Sequence, residues 1–105
     1  MVTRYEGRDD CALVVDGEHI VIEHRQNPDP DFRFHRSRLT AAHFEPATFW
    51  VSGIITVAID GAPLNVPTGT DVGSDPRTVV FRSKVNRVFQ DVHAWLEFVA
   101  NENKQ

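Results

Sequence analysis

DPRTVVFRSKVNRVFQDVHAWLE, residues 75–97, changes its apolar period half-way along, and that change decides the fold. The first half reads as an extended segment from Thr78 to Arg82 with Val79 and Phe81 on the inner side. From Val85 onward the spacing becomes helical. Val85, Val88, Phe89, Val92, Trp95, Leu96 and Val99 form a single stripe, and Arg87, Gln90, Asp91 and Glu97 fill the opposite face. Ser83 and Asn86 are both residue types that cap helix N-termini. The expectation is a last strand running into a helix over residues 84–101, with 102–105 as a frayed polar tail.

No other stretch has helical period, so the rest is read as strands and turns. Ala12 to Val15 is apolar and partly β-branched, Asp16-Gly17 is a two-residue turn signal, and His19 to Arg25 alternates. Ile20 and Ile22 point one way there, Val21 and Glu23 the other. Gln26 to Asp31, with its two prolines, is an exposed loop. Phe32 to Glu45 is extended but out of phase with itself. Leu39 suits one face and Ala42 and Phe44 the other, which places a bulge or bend near Thr40. Phe49 to Asp60 reads as a strand with Val51, Ile55, Val57 and Ile59 on one side. Asp60-Gly61 turns the chain, and the segment to Asp75-Pro76 is loop with a short strand at Leu64 to Val66. Residues 1–9 are either an extra strand or a flexible arm. The fold class is mostly β, antiparallel, with one C-terminal α-helix.

Residues 1–105 fit one domain. With 41% hydrophobic and 25% charged residues the chain has the composition of a folded soluble protein and not of a disordered one. The formal charge of −4 argues against a nucleic-acid partner, where phosphate binding calls for a basic domain. Arginine outnumbers lysine nine to two, a bias typical of GC-rich bacterial or phage genomes. Cys11 is the sole cysteine, which excludes an internal disulfide. Met1 to Gly7 contains no apolar signal-peptide core, and Trp50 to Ile59, broken by Ser52, Gly53 and Thr56, is about half a membrane span. The expected location is the cytoplasm.

The residue types that usually carry chemistry do not converge in the sequence. His19 and His24 fall on opposite faces of one strand, a bulge separates His35 from His43, and His93 stands alone on the helix, so no metal site is expected. Cys11 has no recognisable base beside it, and Asp9, Asp10, Asp29 and Asp31 read as solvated loop charges. Phosphate-binding glycine loops and hydrolase motifs are missing. No catalytic residue and no cofactor is assigned, and the chain is expected not to be an enzyme.

Two surface features stand out instead. Arg33, His35, Arg36 and Arg38 lie together in "FRFHRSR", with Arg25 across the preceding loop, and arginine favours planar contacts with carboxylate or phosphate. Arg82, Lys84 and Arg87 join this face if the fold brings them near. Phe49 and Trp50 are adjacent, so on a strand only one of them can point inward. Trp50 is then either exposed at an interface or buried at a corner of a bent sheet.

The opening hairpin around Asp16-Gly17, "SRLTAAHFEPA" (Ser37 to Ala47) followed by "SGIITVAI" (Ser52 to Ile59), and "DPRTVVFRSKVNRVFQDVHAWLE" together resemble the bacterial pleckstrin-homology-like domains. The resemblance implies a bent antiparallel sheet of six or seven strands, a partly open barrel with one end plugged by the C-terminal helix. Fold relatives bind peptides, phosphoinositides or proteins, the phosphoinositides through a long basic loop between the first two strands. Here the corresponding turn is taken as Val15-Asp16-Gly17-Glu18, short and acidic. The expected function is a non-enzymatic protein-interaction or self-assembly module, a small phage or bacterial regulator docking on a host protein or on its own copies. Its docking face is expected to include Arg33, His35, Arg36, Arg38, Phe49 and Trp50. The alternative is binding of an anionic lipid or headgroup at a membrane surface through the arginine cluster.

Overall fold

Strands are the commonest regular structure in the computed structural model, which describes residues 2–25, 30–69, 72 and 74–104. Seven strands are present among these residues: β1 (Val2–Glu6), β2 (Cys11–Asp16), β3 (His19–His24), β4 (Phe32–His35), β5 (Leu39–Glu45), β6 (Gly53–Ile59) and β7 (Thr78–Phe81). The helix α1 (Asn86–Asn103) follows a short 3-10 turn over Ser83–Val85. β1 to β4 make one antiparallel meander in the order β1-β2-β3-β4, and β5 to β7 make a second, three-stranded one. The expected mostly-β class with one C-terminal helix is therefore present as two sheets and a helix.

Residues 2–6 do form a strand, paired with β2 from Val2↔Asp16 to Glu6↔Ala12. β2 and β3 pair up to Asp16↔His19, so the two-residue turn is Gly17-Glu18, one residue beyond the Asp16-Gly17 read from sequence. Gly17 has φ of 60°, which suits glycine at the first turn position and matches the twist of the flanking strands. The turn compared above with the loop between the first two strands is thus the second turn of the sheet. The first is Gly7-Arg8-Asp9-Asp10, also short, with one cation and two carboxylates. The loop expected over 26–31 lies mostly outside the described residues.

The bulge read at Thr40 is present, as a register shift between Leu39 and Ala41. It rotates the strand so that Leu39, Ala42 and Phe44 all reach the core. Its extra residue is used: Thr40 Oγ1 donates to the Ala58 carbonyl at 3.3 Å and accepts the Gly61 N–H at 3.1 Å. β6 begins only at Gly53, because Phe49, Trp50 and Val51 sit in a turn and not in the strand. Leu64 to Val66 is irregular, not a strand. Its proline neighbours, Pro63 and Pro67, cannot donate to a ladder.

The core lies between the two sheets and the helix. Leu13, Ile20, Ile22 and Phe34 come from the first sheet, Leu39, Ile55, Val79 and Phe81 from the second, and Phe89, Leu96 and Val99 from α1. Each such side chain contributes about 1.5–3 kcal/mol by leaving water. Phe81 stacks on Phe89 with ring centres 4.5 Å apart, and Phe44 stacks on Phe81 at 5.7 Å. The helix lies mainly along β5 and runs to Asn103, two residues past the expected end. Neither Ser83 nor Asn86 caps it. Asn86 points back to the loop after β5, and Asn103 Nδ2 donates to the carbonyls of Arg36 (2.9 Å) and Leu39 (2.8 Å) before β5.

Candidate functional site

Two surfaces have a geometry that packing alone does not explain: a turn that holds aromatic rings out in water, and a groove beside an open sheet edge. The turn lies between β5 and β6. Asn86 grips its base with both ends of one amide, accepting the Ala47 N–H at 2.7 Å and donating to the Ala47 carbonyl at 2.8 Å. Thr48 N–H donates to the Val51 carbonyl at 2.8 Å, and Thr48 Oγ1 accepts the N–H groups of Trp50 (3.3 Å) and Val51 (3.0 Å). On the far side Arg8 Nη1 donates to Ser52 Oγ at 2.5 Å. Between these ties Phe49, Trp50 and Val51 are 85%, 87% and 65% exposed. The two rings meet edge to face at 4.8 Å. Trp50 is therefore exposed, and the alternative of burial at a sheet corner is set aside. The backbone is fixed while the apolar side chains are left bare, a combination that marks interaction surfaces.

Cations flank the turn. Arg8, Arg82 and Ser83 line one cleft with Phe49 and Trp50, and Lys84 lines an adjoining cleft with Arg8 and Arg82. Acids lie near them too: Asp9 pairs with Arg8 (3.4 Å), Glu6 with Arg4 (2.5 Å), which Glu23 shares, and Glu45 Oε2 lies 2.9 Å from His43 Nε2. Among the described residues Arg82, Lys84 and Arg87 make no ion pair.

The sequence-level docking face is split by this arrangement. Arg36 and Arg38 precede β5 and Phe49 and Trp50 follow it, so the length of that strand, roughly 20 Å at 3.3 Å per residue, separates them. The arginines of "FRFHRSR" each have a local partner. Arg33 faces Asp16 at 3.8 Å and sits in register beside Val21, where its stem flanks the small outer cluster of Ala12, Val14 and Val21. Arg36 lies over the Trp95 ring at 5.4 Å and reaches Glu102 at 4.0 Å. Arg38 grips Asp60 through Nε at 3.0 Å and 3.1 Å, and its hydrogen bonds, aided by its charge, hold that carboxyl below its ordinary range. His35 accepts the Ser37 N–H at 3.1 Å and meets His19 edge to face at 5.3 Å. Arg82 joins Phe49 and Trp50, and Lys84 the adjoining cleft, rather than this cluster.

The second surface was not visible in the sequence. Thr3, Tyr5 and Val15 form one wall of a groove of about 480 Å³, and Val88, Asp91, Val92 and Trp95 of α1 form the other. β1 is the outermost strand of its sheet, so alternate N–H and C=O groups along it have no strand to pair with. Val88 belongs to the helical stripe but is 44% exposed, because it faces this groove and not the core. Five residues of weak alternation in Val2–Glu6 left the strand itself ambiguous.

Cys11 is a free, buried cysteine. Its one S–H has the Arg8 carbonyl at 2.9 Å or the Val80 carbonyl at 3.3 Å as acceptor, and burial pushes the thiol above its ordinary range. No group of three or more His, Cys, Asp or Glu converges as a metal would require among the described residues. No helix among them is long and apolar enough to cross a membrane.

Neither family models, nor curated proteins, nor solved structures give a match to this chain. The functional reading therefore rests on the two surfaces.

Proposed function

We propose that the chain is a non-enzymatic protein-interaction module with a pleckstrin-homology-like fold, taking an extended segment of a partner protein against the free edge of β1. The four-plus-three division of strands with a helix along β5 supports the fold reading. The observation that carries the function is the groove between β1 and α1, where an open edge and an apolar wall lie side by side. An added strand pairs with the backbone of β1, and alternate side chains drop towards Tyr5, Val88 and Trp95. Asp91 is the acidic residue of the wall, so the segment that fits carries a basic residue opposite it. Backbone pairing supplies affinity without sequence preference, and the groove supplies the preference.

Selection from a displayed library of random peptides tests this. The expected winners alternate apolar residues around a Lys or Arg, move the backbone resonances of Thr3, Tyr5, Val88 and Trp95, and bind at least ten-fold more weakly to Val88→Glu. Peptides that bind Val88→Glu as well as wild type, or that shift resonances only elsewhere, would overturn the reading. Self-association through paired β1 edges is the competing outcome, and light scattering would report it as a dimer abolished by Val88→Glu.

A further inference from the structure

The aromatic turn calls for a different partner from the groove. It is convex: three consecutive apolar side chains project from a backbone that Asn86, Thr48 and Arg8 hold in place. Clefts flank the tip, but Phe49 and Trp50 stand almost fully exposed beyond them and can enter a soft medium. Behind the tip the cations that make no ion pair among the described residues are Arg82, Lys84 and Arg87. Arg82 lines the cleft with Phe49 and Trp50, Lys84 lines the next, and Arg87 follows the Asn86 that grips the base of the turn. The neighbouring carboxylates of Asp9, Glu45 and Glu6 are each within 3.4 Å of a cationic or imidazole partner. The protein as a whole carries −4, so positive charge left free at this end is local and not a property of the whole surface.

We infer that the Thr48–Val51 turn is a membrane anchor: Phe49, Trp50 and Val51 enter the interfacial layer of an anionic bilayer while Arg82 and Lys84 meet its lipid phosphates. Tryptophan and phenylalanine settle at the boundary between headgroups and acyl chains, where an aromatic body meets apolar chains and the indole N–H stays wet. Basic side chains set back from such a tip lie at the depth of the negative surface charge. A single small tip gives reversible attachment, and the two contributions are needed together. The lipid site is on the turn and the α1 N-terminal end, not on Arg33 to Arg38, which are committed to Asp16, Trp95 and Asp60. Attachment through this turn leaves the β1 groove available, so the module would take its segment at a membrane surface.

Vesicle flotation decides it, using phosphatidylcholine alone and phosphatidylcholine with an equal part of phosphatidylglycerol. Wild type is expected to float with the anionic vesicles at low salt and to lose most binding at high salt, as exposed charge attraction is screened. Arg82→Gln and Lys84→Gln should each weaken binding about five-fold, and Phe49→Ala with Trp50→Ala should abolish it. These residues are exposed, so the variants fold as wild type does. The chain has two tryptophans, and Trp95 is half-buried on the helix, so a blue shift of emission on adding anionic vesicles reports Trp50. Trp50→Phe should still float but lose the shift. No flotation with anionic vesicles at low salt overturns the inference, as does flotation with unshifted Trp50 emission or flotation indifferent to Phe49→Ala with Trp50→Ala. So does concentration-dependent self-association that vanishes in that double variant, which would assign the tip to a second copy. Val88→Ala, which trims the groove wall without adding charge, should float like wild type, so failure of the groove and failure of the anchor are separately visible.

Discussion

Asn86 is an amide at the start of a helix, and such residues commonly cap it; this one instead spends both its polar ends on the backbone of Ala47. The difference matters because Ala47 is buried, and without Asn86 its N–H and C=O would lose that partner. Replacement by Ala should cost roughly 1–3 kcal/mol in urea denaturation, the desolvation penalty of the stranded groups. Asn86→Asp, which keeps the acceptor and loses the donor, should fall between the two. An unchanged urea midpoint for Asn86→Ala would mean that the clamp is not what fixes the turn. Cys11 gives a second residue-scale expectation. Its thiol is buried, hydrogen-bonded and raised in pKa, so alkylation at pH about 8 should proceed only through opening of the fold, on the order of a hundred-fold or more slower than in urea. Fast labelling of the folded protein would refute that placement.

At the scale of elements, what could be read from the sequence follows from how strongly each element must repeat a pattern. The α1 stripe was legible because Phe89, Val92, Leu96 and Val99 have to share one buried face, and the bulge at Thr40 was legible because Leu39 and Phe44 would otherwise fall on opposite sides. The start of β6 was not. Phe49 to Ile59 is one apolar run, and nothing in hydrophobicity separates the residues in the turn from those in the strand. The separating feature is Gly53, where an added Cβ would come within 2.6 Å of the Ala47 nitrogen and of Phe81 Cζ. Strand pairing brings Phe81 over that glycine, which is a tertiary fact. Gly53→Ala should therefore destabilise by about 1–3 kcal/mol or more, since neither the backbone nor a stacked ring yields easily. The arginine cluster was legible as a cluster but not as three separate attachments, because Asp16, Asp60 and Glu102 are distant in sequence from their partners. One of these pairs gives a pH dependence. Asp60 is held below the ordinary carboxylate range in the fold, so its pairing with Arg38 stabilises above the unfolded pKa and fades as pH falls through the folded value. The difference in urea midpoint between wild type and Asp60→Asn should be small at neutral pH, as both groups are exposed, and should shrink further on acidification from about pH 5 to about pH 2.

Over the whole molecule the decisive question is how two sheets that share no strand ladder stay together. One corner is continuous chain: the 3-10 turn Arg36–Arg38 carries β4 into β5, with Arg36 N–H on the Glu18 carbonyl at 2.7 Å and Asp60 N–H on the Arg38 carbonyl at 2.9 Å. The other corner has no such strand. There the outer edge of β7 is met piecemeal, by Arg8 N–H on the Val80 carbonyl at 2.7 Å, by His24 Nε2 at 2.7 Å from the Thr78 carbonyl, and by Cys11 Sγ, which accepts the Val80 N–H at 3.3 Å. A sulfur is a poor acceptor, so the Val80 amide is the weakest link of that seam. It is also the place where an edge strand would otherwise stand open to pairing with another chain. In wild type the Val80 amide should exchange with deuterium as slowly as the β6 amides, because Cys11 and Val80 are buried and the seam opens only with the fold. Cys11→Ala removes the acceptor and leaves a small void, so Val80 exchange should accelerate by about ten-fold or more through local opening, while β3 amides such as Ile22 change only by the global loss. If Val80 and Ile22 accelerate by the same factor, the sulfur contact does not close the seam, and Arg8 and His24 alone hold β7 to the first sheet.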